Sequence, residues 1–386
     1  MITFAASLFM LLIHVTTLLL LVLLSIRLLR NLDFLRWVRQ SAPVQAEQPR
    51  VSVLVPARNE GRHIQQCIEA LAQQAYPNYE ILVLDDQSTD GTFQQLQQLA
   101  EVYPVLQLIR GDSAPPPGWN GKSYACQRLA QHASGEWLLF TDADTLHTPE
   151  SIVQGIKQAR WLDVDLLSAM PQQITNSWSE RLLVSFIMDF LPLLGIDLRG
   201  LWQQRSSHAI ANGQYMLVRA AVYHEVGGHA AVQSALVDDF ALANHFVQNE
   251  RRYALVNGTY LVACRMYRNA GEIWQGYSKN IVLSLQTAAR WPWWSALLFA
   301  WGFVALFIWP YALLALQLSK GLALVEIGWL SVLRLSVGYE YRRPLAEAFF
   351  TPLSALGVML LGLNALLLKY RQQPIRWKDR SYWLTP

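Results

Sequence analysis

The feature that most constrains the fold is a short apolar run, Trp-Leu-Leu-Phe at residues 137–140, which is followed by the sequence Thr-Asp-Ala-Asp. A continuous apolar run bounded by glycine and acidic residues predicts a strand buried on both faces, as in a parallel sheet covered by helices. In open α/β sheets, ligands bind beyond the carboxyl ends of the strands. The sequence therefore predicts that Asp142 and Asp144 lie beside a ligand.

Asp142 and Asp144 have two interpretations. Two carboxylates separated by one residue at a strand end can share a hard divalent cation, and such a cation can hold a diphosphate. The same residues also suit a turn, because aspartate is common in turns and at helix N-caps. Thr-Pro-Glu at residues 148–150 is itself typical of a helix start. The choice between these two interpretations depends on which residues follow the other strands at the same edge of the sheet.

Strands and helices alternate in the segment that leads to residues 137–140. Three apolar strands and three amphipathic helices are predicted there: strands 51–55, 79–84 and 105–109, and helices 61–74, 92–102 and 121–133. This order predicts parallel strands joined by right-handed crossovers, which is an α/β fold.

Parallel strands bring their carboxyl ends to one edge of the sheet, so the residues that follow them should gather there. Residues 56–60, 85–86 and 142–144 follow three different strands. Carboxylates at that edge can accept hydrogen bonds from a base or a ribose hydroxyl. Helix capping explains either aspartate at 85–86 equally well, but it does not explain the whole set. Lys122 is either solvated or placed over a nucleotide, and the chain lacks the phosphate-binding run of P-loop enzymes.

The N-terminal end of the chain is strongly apolar. Hydrophobic residues make up 53% of the 386 residues and charged residues only 15%, which is unusual for a soluble enzyme. Residues 2–26 are almost uncharged, and a membrane-spanning helix needs about 20 apolar residues. Four arginines follow this segment, so the positive-inside rule places the next domain in the cytoplasm. The sequence predicts an anchor at residues 1–30 and a multi-pass protein of the cell inner membrane.

The C-terminal region, residues 293–369, is predicted to contain two or three further spans. Residues 293–318 form a clear candidate, and residues 345–368 form another, although Pro352 can break it. Residues 322–339 are marginal because they contain two charged residues, which are costly in lipid. An even number of crossings keeps the basic tail, residues 370–386, in the cytoplasm. We therefore expect two crossings, with the marginal segment interfacial or re-entrant.

Charge and cysteine content exclude several classes of protein. The net charge of +3 is modest and lies beside the apolar ends, which favours anionic lipid headgroups as the partner. No basic nucleic-acid motif is present, so no nucleic-acid partner is expected. Cys67, Cys126 and Cys264 are far apart and odd in number. They suit a reducing cytoplasm, and their spacing predicts neither a disulfide nor a metal site.

Four motifs in this order resemble those of family 2 glycosyltransferases with the GT-A fold: Val-Pro-Ala-Arg-Asn-Glu at 55–60, Leu-Asp-Asp-Gln-Ser-Thr-Asp-Gly at 84–91, Gly-Lys-Ser-Tyr-Ala at 121–125 and Phe-Thr-Asp-Ala-Asp-Thr at 140–145. Three further segments resemble, more narrowly, membrane-bound members that act on carotenoid and hopanoid-type lipids: Pro-Pro-Gly-Trp-Asn-Gly-Lys, Trp-Gln-Gly-Tyr-Ser-Lys-Asn and Trp-Lys-Asp-Arg-Ser-Tyr. The resemblance implies a cytoplasmic, Rossmann-like GT-A domain with a mostly parallel sheet at residues 50–265.

The resemblance also implies roles for individual residues. Asp86 would bind the base, Asp142 the ribose side, and Asp144 a Mg²⁺ or Mn²⁺ ion that bridges the diphosphate. The nucleotide-sugar pocket would further include Pro56, Ala57, Glu60 and Lys122. The expected donor is a nucleotide sugar, most simply a UDP-hexose.

A later acidic pair is also implied by the resemblance. Ser-Ala-Leu-Val-Asp-Asp-Phe at residues 234–240 fits the position where the family carries its general base, with Asp238 standing where glutamate is usual. Asp239 is the predicted base. The alternative is that these aspartates interact with the N-terminal dipole of a helix that begins near Asp238.

The acceptor end is less well defined. Processive members of the family carry Gln-x-x-Arg-Trp, whereas Gln286 here stands four residues before Arg290. The extra residue changes the helical face, so Arg290 and Trp291 are only loose candidates for acceptor or diphosphate contact. Arg268 and Lys279 are alternative cations. Residues 266–292 are expected to form an interfacial helix, and so are residues 179–202, because they flank the predicted base. An ordinary core helix is the alternative for each.

Together these features predict inverting transfer of one hexose from a nucleotide sugar to a lipid hydroxyl at the cytoplasmic membrane face. The expected acceptor is carotenoid-, hopanoid- or terpenoid-like, or else ceramide- or diacylglycerol-like. A processive polysaccharide synthase is one alternative, but it needs a channel of many spans. A membrane-tethered nucleotidyltransferase, which would release pyrophosphate, is a second. A non-catalytic nucleotide-sugar sensor, which needs no base, is the third.

Overall fold

A computed structural model of the chain describes residues 2–41, 48–288, 293–371, 375–377 and 380–382. The chain divides into two compact units. The sheet unit consists of residues 33–174 and 197–266, and the helical unit consists of residues 1–32, 175–196 and 267–386. Part of the predicted basic tail, residues 372–374, 378–379 and 383–386, lies outside the described residues.

The strands follow one another through the sheet unit, and a short hairpin lies near the C-terminus. Their bounds are β1 Val51–Ala57, β2 Tyr79–Asp85, β3 Leu106–Arg110, β4 Trp137–Phe140, β5 Thr145–His147, β6 Leu166–Gln173, β7 Met216–Arg219, β8 Tyr253–Cys264, β9 Ile375–Trp377 and β10 Arg380–Tyr382.

The helices are distributed over both units. Their bounds are α1 Ile2–Ser41, α2 Ile64–Ala72, α3 Thr92–Val102, α4 Gly121–His132, α5 Ser151–Trp161, α6 Trp178–Ser185, α7 Leu191–Gly195, α8 Leu198–Trp202, α9 Ala220–Glu225, α10 Asp238–Gln248, α11 Ala270–Ala288, α12 Trp293–Phe307, α13 Trp309–Ala315, α14 Lys320–Glu340 and α15 Thr351–Tyr370. A π-helical turn at Phe186–Phe190 and 3₁₀ turns at Gly228–Val232 and Leu345–Phe350 complete the set described.

The sheet unit is built on one mostly parallel sheet. In the described residues it has eight strands in the order β3-β2-β1-β4-β7-β6-β8-β5. Strands β1 to β4 are mutually parallel where they pair, and β6 is parallel to β8, whereas β7 and β5 run antiparallel to their neighbours. The predicted α/β class and mostly parallel sheet are confirmed.

The burial of the first strands and helices explains why these segments fold as they do. Every residue of β4 is buried, as expected for a continuous apolar run in a covered parallel sheet. Helix α2 buries Ile64, Cys67, Ile68 and Leu71, whose i, i+3, i+4, i+7 spacing forms one apolar stripe. The apolar spacing in the sequence was therefore sufficient to locate these elements.

The register of the parallel strands brings their carboxyl ends together. Ala57 at the end of β1 lies opposite Asp85 at the end of β2, and Leu54 of β1 lies opposite Phe140 at the end of β4. The residues that follow these three strands consequently leave the sheet at one edge. This edge is where sequence analysis expected a ligand.

The candidate membrane spans belong to the helical unit, apart from residues 33–40 at the end of the first span. Among the described residues, three helical segments are long and apolar enough to cross a membrane: Ser7–Gln40, Lys320–Glu340 and Leu345–Tyr370. Residues 293–318, expected as one clear span, form α12 and α13. The pair Leu297–Phe307 and Trp309–Ala315 is apolar enough to count together as a fourth candidate, either a broken span or a re-entrant loop, with a bend of 44°. Pro310 lies in the first turn of α13, and a proline there removes a backbone donor that a continuous helix would need.

The segment expected to be marginal, residues 322–339, lies within the continuous helix α14. Its two charged residues are buried and have partners within the helical unit. Glu326 Oε1 lies 2.8 Å from His14 Nδ1, and Arg334 Nη2 donates to Ser185 Oγ at 2.7 Å. Such partners offset the cost of burying a charge. Pro352 lies in the first turn of α15, where a missing N–H breaks no helical bond.

Of the two segments expected to be interfacial, only the first in the chain differs from a single helix. Residues 179–202 form α6, the π-helical turn, α7 and α8, whereas α11 is one helix. Val184 of α6, Ile273 and Tyr277 of α11 and Leu361 of α15 form a buried apolar cluster in the helical unit. These faces of α6 and α11 are therefore covered by protein.

We expect Gly111→Ala to destabilise the sheet unit. The N–H of Gly111 donates to the Asp85 carbonyl at 2.8 Å, and a Cβ on Gly111 would lie 2.6 Å from that oxygen. Relief of the clash must displace the end of β2, at a cost of about 1–3 kcal/mol. Thermal unfolding in detergent should show a lower melting temperature than for Gly195→Ala, where a Cβ meets nothing within 4 Å. Equal melting temperatures for the two variants would contradict this close packing.

Candidate active site

The ends of β1 and β2 are joined by hydrogen bonds. Pro56 lies within β1 opposite Leu84, and the carbonyl of Ala57 accepts from the N–H of Asp86 at 2.7 Å. Arg58 then reaches across, with Nη1 donating to the Asp86 carbonyl at 2.6 Å and lying 3.7 Å from Asp86 Oδ2. Asp86 is thereby held at the edge of the sheet, and 11% of its side chain is exposed.

The acidic residues at the end of β2 and just after it make different contacts. Asp85 Oδ2 accepts from the N–H of Ser88 at 3.3 Å, which is ordinary turn chemistry. Asp90, not Asp85 or Asp86, accepts from the N–H of Thr92 at the start of α3. Glu60 is anchored to the same segment because its N–H donates to Thr92 Oγ1 at 2.9 Å. The capping interpretation therefore applies to Asp90, and it does not account for the position of Asp86.

The Asp-x-Asp segment forms a tight turn between β4 and β5. The carbonyl of Asp142 accepts from Thr145 Oγ1 at 2.7 Å, so the backbone reverses while Asp142 and Asp144 remain partly exposed. The turn interpretation is therefore correct, and the ligand interpretation stays a prediction for which the two carboxylates are accessible. Two carboxylates are hard oxygen ligands of the kind that Mg²⁺ and Mn²⁺ prefer, so the donor set fits such an ion.

Lys122 links the Asp-x-Asp turn to the later acidic pair. Its Nζ lies 2.7 Å from Asp142 Oδ1 and 3.7 Å from Asp238 Oδ2. Lys122 lies in the first turn of α4, and its backbone N–H is capped by Asn120 Oδ1 at 3.1 Å. These contacts exclude the interpretation of Lys122 as a freely solvated side chain. The structure thus joins residues that are more than a hundred positions apart in the sequence.

Asp239 lies at the start of α10 and faces the same cluster. Its Oδ2 accepts from the N–H of Gly213 and its Oδ1 from the N–H of Phe240, each at 2.8 Å. Burial raises the pKa of Asp239 to about 6, the charge of Asp238 acts in the same direction, and Lys122 opposes them. A carboxyl group with this pKa can exchange a proton near neutral pH.

Two residues that sequence analysis did not single out organise this cluster. A Cβ on Gly213 would lie 3.2 Å from Lys122 Nζ and 3.3 Å from Asp239 Oδ2, so only glycine leaves both groups undisturbed. Asn120 Nδ2 donates to the carbonyl of Ala235 at 2.9 Å, which fastens the segment before α10 to the start of α4. The Asn-Gly dipeptide at 212–213, typical of a turn before a strand, was the signal that could have located Gly213.

The predicted site residues fall into two groups. The sheet unit contains the nine predicted for the nucleotide sugar, the metal and the base: Pro56, Ala57, Glu60, Asp86, Lys122, Asp142, Asp144, Asp238 and Asp239. Arg268 and Lys279 belong to the helical unit, where the N–H of Arg268 donates to Glu272 Oε2 at 2.8 Å. Arg290 and Trp291 lie outside the described residues.

Comparisons with known proteins relate the chain to glycosyltransferases. Residues 52–227 match the family model described as glycosyl transferase family 2. The 4,4'-diaponeurosporenoate glycosyltransferase of Staphylococcus aureus strain MRSA252 is 25% identical over 351 residues, which are 86% of this chain and 88% of that protein. The protein of the same description from strain USA300 is 26% identical over 235 residues, which are 60% of each chain.

A solved structure gives the same result for the fold. The mannosyltransferase PcManGT from Pyrobaculum calidifontis, in complex with GDP-Man and Mn²⁺, superposes with a TM-score of 0.53 at 19% identity, covering 93% of this chain and 99% of that one. The chain is therefore a glycosyltransferase with a GT-A-type fold. Residues 52–227 form a glycosyl transferase family 2 domain. The resemblance inferred from the four motifs is confirmed, whereas the roles of individual residues remain predictions.

We expect Asn120→Ala to loosen the start of α4 and the segment before α10. Loss of a side-chain N-cap costs about 0.5–2 kcal/mol, and the bond to Ala235 is lost as well. The melting temperature in detergent should fall below that of Asn78→Ala, which removes one exposed hydrogen bond to the carbonyl of Gln48. If the two variants unfold together, Asn120 does not have this fastening role.

Proposed function

We propose that the protein transfers a single hexose, with inversion, from a nucleotide sugar to a hydroxyl group of a lipid. The observation that carries the proposal is the meeting of Lys122, Asp142, Asp238 and Asp239 at the carboxyl edge of the sheet. The ammonium group there can bind a diphosphate. The three carboxylates can bind a ribose and accept a proton.

The proposed donor site occupies the ends of β1, β2 and β4. Asp86, held by Arg58, accepts hydrogen bonds from the base, while Pro56, Ala57 and Glu60 line the same pocket. Asp142 receives the ribose side, and Lys122 contacts the diphosphate. A UDP-hexose is the expected donor. The GDP-Man in the complex of the mannosyltransferase makes a GDP-hexose the first alternative to test.

The proposed reaction is a direct displacement. Asp239 removes the proton from the acceptor hydroxyl as its oxygen attacks the anomeric carbon, and the nucleoside diphosphate leaves from the opposite face. Mg²⁺ or Mn²⁺ held by Asp144, when bound, neutralises negative charge on the diphosphate. Asp238 and Lys122 lie on the side of the site that contains the general base. The hydrogen bond from the N–H of Gly213 orients the Asp239 carboxylate.

The proposed acceptor is a carotenoid-like lipid within the cell inner membrane, approached from the cytoplasmic face. The apolar helices of the helical unit support a membrane location. The relatives named as diaponeurosporenoate glycosyltransferases support a carotenoid acceptor. Their name specifies a carboxylate, so a carotenoid acid is the second candidate acceptor beside a carotenoid with a hydroxyl group. An ionised carboxylate would need no general base, which makes the two acceptors distinguishable.

The first experiment combines purified protein, Mn²⁺, a panel of UDP- and GDP-hexoses, and carotenoid alcohols, carotenoid acids, ceramide and diacylglycerol in vesicles. We expect one lipid to gain the mass of one hexose, with nucleoside diphosphate released. Long oligosaccharide products would indicate a processive synthase, and released pyrophosphate a nucleotidyltransferase. Donor binding without any product would favour the sensor alternative.

Asp239→Asn should lower transfer to a hydroxyl acceptor by roughly 10²–10⁴-fold, the usual contribution of a general base. Donor affinity, measured by calorimetry, should stay near the wild-type value because Asp239 is not placed against the nucleotide. Asp112→Asn is the matched control, since Asp112 is exposed and pairs with Arg128. Full turnover of Asp239→Asn with a hydroxyl acceptor would remove Asp239 from the mechanism.

The pH profile gives a second readout of the same role. The base must be ionised to work, and the pKa of Asp239 is raised to about 6, so kcat/KM should fall as the pH drops below about 6. Lys122 lowers this pKa, so Lys122→Gln should move the acidic limb to higher pH. A profile that stays flat through this range would show that another group takes the proton.

Asp144→Asn should remove the dependence of donor binding on the metal. In the wild type, Mn²⁺ should tighten nucleotide-sugar binding relative to the same protein in a chelator. In the variant, the two affinities should become nearly equal because one hard oxygen ligand has been lost. Asp112→Asn should keep the full Mn²⁺ effect. An undiminished metal effect in Asp144→Asn would assign the ion to other residues.

A further inference from the structure

Three side chains of different chemistry meet beside the carboxylate cluster. They are Cys126 of α4, His229 of the 3₁₀ turn at Gly228–Val232, and Asp238, the first residue of α10. All three are buried, and their sulfur, ring nitrogen and carboxylate oxygen lie within 4.8 Å of one another. Cys126 lies more than a hundred residues before His229 and Asp238, which explains why the cysteine spacing predicted no metal site.

The hydrogen bonds of Tyr223 determine which nitrogen of His229 faces this group. Tyr223 Oη donates to Gln127 Oε1 at 3.1 Å, an oxygen that also accepts from the N–H of Ala230. Tyr223 Oη also accepts from the backbone N–H of His229 at 3.1 Å. Because the Tyr223 proton is directed to Gln127, the remaining lone pair of Oη faces His229 Nδ1 at 2.8 Å, and we assign the ring proton to Nδ1. Nε2 is left with its lone pair, 4.0 Å from Asp238 Oδ2.

This orientation is the one that a metal ligand needs. A lone pair on nitrogen and a carboxylate oxygen that face each other across 4.0 Å are brought together by a cation between them. Ligating histidines usually donate their other ring N–H to a neighbouring group, as His229 does to Tyr223. The local charge also favours a cation. Among the described residues of this cluster, the three carboxylates of Asp142, Asp238 and Asp239 surround one ammonium group, that of Lys122.

We infer that Cys126, His229 and Asp238 form a binding site for a divalent metal ion of the Zn²⁺ class. Thiolate and imidazole ligands favour Zn²⁺ and Co²⁺, whereas Mg²⁺ and Mn²⁺ prefer oxygen. Tetrahedral zinc bonds of about 2.0–2.3 Å place ligand atoms roughly 3.3–3.8 Å apart, so small side-chain rotations close the present group.

Metal binding leaves one coordination position for water and releases one proton. The side chain of Asp238 is 11% exposed, so water from the cleft completes the coordination as fourth ligand. The Cys126 thiol loses its proton to the buffer as the sulfur–metal bond forms. The ion also competes with Lys122 for Asp238, which are 3.7 Å apart. If the proposed function holds, Zn²⁺ at this site inhibits transfer, whereas metal binding itself does not depend on that function.

The test is a Co²⁺ titration of the reduced, full-length protein in detergent, with excess Mg²⁺ to fill sites made of oxygen ligands. Tetrahedral Co²⁺ with a thiolate ligand gives a sulfur-to-metal charge-transfer band in the near ultraviolet and intense visible bands. We expect these bands to saturate at one equivalent and to disappear when Zn²⁺ is added. A wild-type protein that gives no such bands overturns the inference, whether or not the protein transfers a sugar.

Variants assign the bands to this group. Cys126→Ser should abolish the charge-transfer band, whereas Cys67→Ser, at another buried cysteine, should retain it. Tyr223→Phe should keep the band but weaken Co²⁺ binding by roughly 10–100-fold, because it removes the partner that orients His229. Tyr223→Phe also provides a test should Cys126→Ser fail to fold. A full-strength band in folded Cys126→Ser, or unchanged affinity in Tyr223→Phe, contradicts the proposed ligands.

Discussion

The parallel pairing of β1 with β2 and β4 is the constraint on which the rest of the sheet unit depends. Backbone hydrogen bonds set Ala57 opposite Asp85 and Leu54 opposite Phe140, so three strands end at the same edge. Because the strands are buried on both faces, their polar residues are confined to the ends. The polar residues of the proposed site are concentrated where the apolar sheet stops.

The balance of charge at that edge depends on Lys122. Without a cation, Asp142, Asp238 and Asp239 would repel one another, and the ammonium of Lys122 lies between two of them. The start of α4 is held by Asn120, which also fastens the segment leading into α10. One helix start therefore positions both the lysine and the later acidic pair, and Gly213 leaves the space in which they meet.

The helical unit deals with charge in a different way. Glu326 and Arg334 are buried in a largely apolar helix, and each has a polar partner within the same unit. Counting charges in the sequence made this helix marginal, because such a count takes no account of partners. A charge that is hydrogen-bonded to protein costs much less in an apolar environment than an isolated one.

The sequence by itself determined the alternation of strands and helices, the family and the edge that carries Asp86, Asp142 and Asp144, because apolar periodicity and local motifs are properties of contiguous residues. It also identified Lys122, Asp238 and Asp239 as candidates through resemblance. Only the tertiary structure decided that Lys122 contacts Asp142 and Asp238, that Gly213 orients Asp239, and that Cys126 meets His229. These contacts join distant segments through crossovers and loops, and no local pattern in the sequence specifies the distance between such side chains.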